Sequence, residues 1–104
     1  MQAVTDATFN NVVLMSDKPV LVFFWATWNG PSRMVAPTLQ QIANEHPDTL
    51  SVVQLDVDAN PQTPRTYDIL TIPTMNLYRD GEVVKQIVGS KPKAAIEHDL
   101  DGYI

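Results

Sequence analysis

The chain of 104 residues contains no cysteine. Disulfide bonds, thiolate metal sites, iron–sulfur clusters and catalytic thiols all require cysteine sulfur. None of these is available to this chain. The missing cysteines therefore exclude thiol chemistry before any fold is considered.

Long apolar runs and an excess of positive charge are also missing. No segment approaches the roughly 20 apolar residues that a membrane-spanning helix needs, and the formal net charge is −5. Without such an apolar segment we expect no membrane association. Because an acidic chain without a basic patch has little attraction for a phosphate backbone, we also expect no nucleic-acid partner. The first residues also lack the basic start and apolar stretch of a secretory signal. We expect a soluble, cytoplasmic protein.

The residues that are present suit one globular domain. Apolar residues make up 44 % of the chain and charged residues 18 %, a balance typical of a folded protein rather than a disordered one. The chain is long enough for one domain with its own core and too short for two of ordinary size. We expect residues 1–104 to form a single domain and a monomer.

Four apolar segments of strand length are bounded by turn residues. They are Val20–Ala26, Leu50–Val57, Met75–Tyr78 and Val83–Val88. The first is apolar at every position, which is typical of a strand buried on both faces. The last two flank Asp80 and Gly81, a residue pair that a two-residue type I′ turn requires. The sequence thus predicts a buried central strand and an antiparallel hairpin.

Apolar residues at helical spacing predict helices between and after these strands. The helices are a short one capped by Thr5, a longer one over Gly30–His46 with Pro37 as a kink, a short one to about Tyr67 that follows the cap residues and proline of Asp58-Ala59-Asn60-Pro61, and a last one over Lys91–Ile104. The strand–helix–strand order of the first half implies a parallel pair with a right-handed crossover, and the hairpin makes the second half antiparallel. The predicted class is α/β, with a mixed sheet of four to five strands and helices on both faces.

The segment from Phe24 to Pro37 reads Phe-Trp-Ala-Thr-Trp-Asn-Gly-Pro-Ser-Arg-Met-Val-Ala-Pro. It resembles the active-site loop of the thioredoxin family, Trp-Cys-Gly-Pro-Cys, which precedes a helix containing a proline. Three further features fall where that family has them: Asp58-Ala59-Asn60-Pro61, Thr71-Ile72-Pro73-Thr74, and Gly81 with Gly89. The resemblance covers essentially the whole chain. It implies the thioredoxin fold and a cis Ile72–Pro73 bond facing the loop.

Both redox cysteines of that family are replaced in this chain, by Asn29 and Ser32. Thiol–disulfide exchange needs an attacking thiolate and a second sulfur, and a carboxamide with a hydroxyl supplies neither. The places where thioredoxins usually carry a buried aspartate and a nearby lysine hold Phe23 and Gln54. As written, the chain is expected to have no catalytic residue, no metal site and no cofactor.

Asn29 and Ser32 both have simple structural interpretations. Asparagine is among the best N-cap residues, so we expect Asn29 to cap the helix that begins at Gly30. Ser32 would fill a cysteine-sized site in the first helical turn. A serine nucleophile paired with His46 is excluded, because 14 residues of helix place the two roughly 20 Å apart. The distance from Ser32 to His98 is not set by the sequence.

The resemblance also implies a surface that recognises a partner. In the family, an exposed aromatic residue beside the loop and the segment around the cis proline line a groove, where the backbone pairs with an extended partner segment. The corresponding residues here are Trp28, Gly30, Pro31, Ile72, Pro73, Val88 and Gly89. Strand pairing and apolar contacts do not involve sulfur. The first hypothesis is therefore a redox-inactive module that binds a protein or an extended peptide segment.

A second hypothesis places the chemistry in a parent protein. Asn29 and Ser32 are then introduced replacements for the two cysteines of a protein-disulfide reductase, and thioredoxin reductase is a partner of that parent only. Phe23 and Gln54 favour natural loss of the redox function, because a thiol can be removed without changing either position. Both hypotheses stay open at the level of sequence.

Overall fold

Five strands form one mixed sheet in the computed structural model, which describes residues 1–104. The strands are β1 Gln2–Ala3, β2 Val20–Trp25, β3 Ser51–Asp56, β4 Thr74–Arg79 and β5 Glu82–Val88. Their order across the sheet is β1-β3-β2-β4-β5. β3 is parallel to β1 and β2, and β4 is antiparallel to β2 and β5. The predicted α/β class with a mixed sheet is confirmed.

Helical segments cover the two faces of this sheet. They are a π-helical segment over Asn10–Leu14, α1 over Gly30–Glu45, α2 over Gln62–Thr66 and α3 over Lys93–Leu100. The core consists of two apolar clusters. One contains residues of α1 and α3, and the other contains residues of the N-terminal segment.

Strand β2 is buried on both faces, as its unbroken apolar run predicts. Successive side chains of a strand point to opposite faces. Leu21 and Phe23 belong to the cluster with α1 and α3, whereas Val20, Val22 and Phe24 belong to the cluster with the N-terminal segment. The strand that leads into the loop before α1 is therefore held from both sides.

The hairpin turn has the predicted geometry. Asp80 and Gly81 both have positive φ, 53° and 80°, as a type I′ turn requires. A Cβ added to Gly81 would lie 3.3 Å from the carbonyl oxygen of Leu14. Glycine is favoured at this position both by its backbone angle and by the close approach of the N-terminal segment.

The N-terminal region and the last helix differ from the sequence prediction. The regular helix expected after Thr5 is instead a series of turns leading into the π-helical segment, although Thr5 Oγ1 still accepts a hydrogen bond from the Thr8 N–H at 3.2 Å. β1 is only two residues long, too short for periodicity to reveal. α3 spans Lys93–Leu100 instead of Lys91–Ile104, because the backbone is extended at Pro92 and again at Asp101.

The cap of α2 is also corrected by the structure. Asn60 does not cap this helix; its Oδ1 accepts a hydrogen bond from the Asp6 N–H at 2.9 Å. The carboxylate of Asp6, 56 residues before Gln62, accepts from the Gln62 N–H at 3.2 Å. It also accepts from the Thr63 N–H at 2.9 Å and the Thr63 hydroxyl at 2.7 Å. A distant carboxylate, rather than a local asparagine, satisfies the first N–H groups of α2.

Candidate functional site

Strand pairing brings three separate segments to one edge of the sheet. Phe24, near the end of β2, lies opposite Thr74 at the start of β4. Thr74 in turn lies opposite Val88 at the end of β5. The loop between β2 and α1, the residues before β4 and the residues after β5 therefore meet at this edge, which is called the motif edge below.

Asn29 caps α1, as predicted. Its backbone is extended, with φ −89° and ψ 114°, and its side-chain Oδ1 accepts a hydrogen bond from the Ser32 N–H at 2.8 Å. Gly30 and Pro31 follow as exposed residues of the first turn, where a proline loses no helical hydrogen bond. The asparagine thus has a complete structural role that requires no chemistry.

Ser32 is fully buried, and its Oγ has no hydrogen-bond partner. No histidine is within reach of this hydroxyl. His46 lies at the other end of α1, with its Nε2 3.8 Å from Glu97 Oε2, and the unpartnered Oγ excludes His98 as well. Ser32 therefore has no histidine partner of the kind that nucleophilic catalysis by a serine requires.

Phe23 and Gln54 are neighbours across β2 and β3. The Phe23 ring is fully buried and stacks on Trp25, with centroids 6.2 Å apart and planes 22° apart. The Gln54 amide donates to the Met1 carbonyl at 3.4 Å. An apolar ring thus fills the place where the family resemblance implies an aspartate, and no ionisable side chain lies there to move a proton.

Trp28 is 67 % exposed at the motif edge. Its indole N–H donates to Asp58, with 2.7 Å between Nε1 and Oδ2. This bond fixes one side of the ring and leaves the rest open to solvent. The sequence did not predict this contact, because no pattern links two residues 30 positions apart.

The segment before β4 has an unusual backbone. The Ile72–Pro73 peptide bond is cis, as the resemblance implies. The Thr74 hydroxyl donates to the Thr71 carbonyl at 2.6 Å, and the Gly89 N–H donates to the Pro73 carbonyl at 2.8 Å. Neither the N–H nor the C=O of Ile72 has a hydrogen-bond partner within the chain. The turn is held on both sides of Ile72, whose own peptide groups are left free.

The remaining expected groove residues contribute unequally to the surface. Val88 is 49 % exposed and Ile72 is half-buried. Pro73 is buried, so its ring offers little contact area. Sequence reasoning missed Leu70, which is 90 % exposed just before this turn. Its signal was an apolar residue among turn residues with no helical or strand partner.

One group of side chains could share a cation. Glu45, His46 and Glu97 have ligand atoms within 4.8 Å of one another. Glu45 already forms an ion pair with Lys93, with 2.7 Å between Nζ and Oε2. The group lies where the end of α1 meets α3, far from the motif edge. None of the helices has the length and apolar character needed to cross a membrane.

The strand order, the helix that begins at the motif loop and the cis proline beside it together define a thioredoxin fold. The Thioredoxin family matches residues 1–102. The chain is 54 % identical over 101 residues to "Thioredoxin" of Mycobacterium tuberculosis, covering 97 % of this chain and 87 % of that protein. It is 56 % identical over 100 residues to "Thioredoxin" of Mycolicibacterium smegmatis, covering 94 % and 89 %. The chain belongs to the thioredoxin family.

A third relative joins two functions in one name. The "Bifunctional thioredoxin reductase/thioredoxin" of Mycobacterium leprae is 54 % identical over 101 residues, which cover 97 % of this chain and 22 % of that protein. The match thus corresponds to one part of a much longer relative.

Proposed function

We propose that this chain is a redox-inactive thioredoxin-family module that binds an extended protein segment at the motif edge. The observation that carries the proposal is the free backbone of Ile72, in the turn before β4, at the same edge of the sheet as the exposed side chains of Trp28 and Val88. An added strand would satisfy the free N–H and C=O of Ile72 through main-chain hydrogen bonds. Binding of this kind needs no sulfur.

The state of the former redox positions supports the same proposal. Asn29 caps α1 through its hydrogen bond from the Ser32 N–H. Ser32 is buried, and Phe23 belongs to the apolar core that β2 shares with α1 and α3. A chain that had lost only its sulfur atoms would keep the ionisable groups that served them. Here those positions carry side chains suited to packing and capping.

A second candidate function is favoured by the identity to proteins named thioredoxin, 54 % and 56 %. In this proposal the parent chain is a protein-disulfide reductase, and Asn29 and Ser32 replace its cysteines. The start of α1 suits such chemistry, because a helix N-terminus stabilises a thiolate. Thioredoxin reductase is then a partner of the parent chain, as the bifunctional relative's name suggests.

Partner capture tests the first candidate. The immobilised chain and its Trp28→Ala variant are compared by quantitative recovery of bound proteins, and each recovered partner is titrated directly. Met15→Ala is the matched control, since Met15 is 70 % exposed but belongs to the N-terminal segment. We expect Trp28→Ala to lose the partners that Met15→Ala retains. Equal recovery by all three chains would contradict binding at the motif edge.

Restoration of the thiols tests the second candidate. Asn29→Cys with Ser32→Cys is assayed for reduction of a protein disulfide, first alone and then with Phe23→Asp and Gln54→Lys. Asn29→Cys alone is the control, because one sulfur cannot resolve a mixed disulfide. Turnover by the double-cysteine chain, but not by the control, supports a reductase parent. Absence of turnover in both restored chains contradicts it.

A further inference from the structure

A cavity of about 250 Å³ opens at the turn before β4, where Thr71 and Thr74 form part of its lining. Its walls come from the turn before β4 and from the outer strand β5, and they include Leu70, Val88 and Asp68. Leu70 is 90 % exposed and Val88 is 49 % exposed. The cavity is therefore continuous with the motif edge and has two apolar walls with nothing covering them.

Carboxylates flank this edge on both sides. Asp68 lines the cavity in a turn with φ 54°, and Asp58 lies beside Trp28 on the other side. Neither carboxylate forms an ion pair within the chain. The three ion pairs of the molecule all involve the end of α1, α3 or the residues just before α3. Arg65, the nearest basic residue in sequence, lies three positions before Asp68 and seven after Asp58, and it forms an ion pair with neither.

Charge and shape together indicate what chemistry fits. An apolar side chain would cover Leu70 and Val88, which now face water. A cation beside it would meet the carboxylate of Asp68, which has no ion pair, on a chain of net charge −5. An acidic segment would face repulsion at the same place. A basic partner with an apolar anchor is thus complementary to this surface.

We infer that the extended segment bound at the motif edge carries a large apolar side chain, seated against Leu70 and Val88, with a lysine or arginine two positions from it, facing Asp68. This inference rests on the proposed binding function and adds the class of partner. Main-chain pairing with Ile72 sets the alternation of the segment, so every second side chain points to the cavity side.

Three synthetic ten-residue peptides that differ at the centre test the inference. Their central five residues are Lys-Ser-Leu-Ser-Lys, Glu-Ser-Leu-Ser-Glu and Lys-Ser-Ser-Ser-Lys, which put the charged residues on the same face of the strand as the central residue, and binding is followed by calorimetry. We expect the peptide with lysine and leucine to bind more tightly than the other two. The charge preference should be about two- to fivefold, the range that exposed ion pairs provide, and should shrink as salt is raised.

Variants locate the preference on the protein. Asp68→Asn should remove most of the preference for lysine over glutamate, and Leu70→Ser should remove the preference for leucine over serine. Asp48→Asn is the matched control, because it removes the same charge from an exposed position before β3, at the opposite edge of the sheet. It should leave both preferences unchanged.

The outcomes distinguish a failure of this inference from a failure of the proposed binding function. Binding that depends on Trp28 but ignores the charge and size of the central residues overturns the inference and leaves the binding function in place. A lysine preference that survives Asp68→Asn also overturns it, since the whole chain's charge then explains the effect. If no peptide binds and the captured partners are indifferent to Trp28→Ala, the binding function itself fails.

Discussion

Backbone polar groups are hydrogen-bonded on one side of the motif edge and free on the other. At the start of α1, Asn29 accepts the Ser32 N–H and completes the helix cap. At the turn before β4, Ile72 has a free N–H and a free C=O although the residues around it are hydrogen-bonded. The side that carries chemistry in the family is closed here, and the side that can pair with a strand is open. The proposed binding function rests on this contrast.

The largest expected effect on stability comes from replacing the buried ring of Phe23 by the aspartate that the family resemblance implies at this position. Phe23→Asp puts a carboxyl group at a fully buried position among apolar side chains. We expect a loss of about 3 kcal/mol or more in the free energy of unfolding, because an unpaired buried charge or its protonated form lacks partners. Urea denaturation at neutral pH measures it.

A second change distinguishes lost packing from unpaired charge at that position. Gln54 lies opposite Phe23 on β3, so Gln54→Lys added to Phe23→Asp should recover part of the loss. Phe23→Leu is the control for packing alone and should cost far less. Equal losses with and without the lysine would mean that the two positions do not interact.

Removing the cap tests whether the start of α1 is closed by Asn29. Asn29→Ala leaves the Ser32 N–H without its acceptor, and we expect a loss of about 1 kcal/mol in stability. Asn29→Asp should keep the stability, since a carboxylate also accepts this bond and interacts favourably with the helix N-terminus. Thermal and urea denaturation of both variants provide the comparison. An unchanged Asn29→Ala protein would refute the capping role.

At Ser32 we expect a smaller change, an increase in stability. Its buried Oγ has no partner, so Ser32→Ala should stabilise the chain by about 0.5 to 1 kcal/mol through removal of an unsatisfied hydroxyl. Ser32→Val is the overpacking control and should not share the gain. A clear loss of stability in Ser32→Ala would show that the hydroxyl has a partner in solution.

The smallest expected effect is on the pH dependence of stability, and it distinguishes the neutral cap Asn29 from the charged cap Asp6. Partial burial alone would raise the pKa of Asp6, but hydrogen bonds from Thr63 and Gln62 outweigh it and hold that pKa below its ordinary value of 3.8. Because the folded pKa is lowered, the contribution of Asp6 to the free energy of unfolding is present above about pH 4 and is lost as the pH falls through the folded value.

Asp6→Asn should therefore flatten the acid side of the stability profile, whereas Asn29→Ala should shift the whole profile. Denaturation between pH 2 and 7, roughly the range over which carboxylates titrate, measures both. Parallel profiles for Asp6→Asn and the unaltered chain would contradict the charged cap.

Local patterns predicted much of this fold because their causes are local. The apolar run of β2, the Asp80-Gly81 turn and the Asn29 cap depend on side-chain alternation, positive φ and a hydrogen bond three residues away. The family resemblance added the cis Ile72–Pro73 bond. For such features the sequence neighbourhood contains the interacting partners, so the pattern is sufficient.

Other features were decided only when distant parts of the chain came together. Asp6 caps α2 in place of Asn60, and Asp58 holds the Trp28 indole, across 56 and 30 residues respectively. The exposure of Leu70 and the unpartnered Ser32 Oγ likewise depend on what does or does not pack nearby. The sequence by itself determined that this thioredoxin-family chain has no thiol chemistry, since that follows from residue identity alone. Only the tertiary structure decided which polar groups are satisfied and which remain free to bind, because that depends on partners supplied by folding.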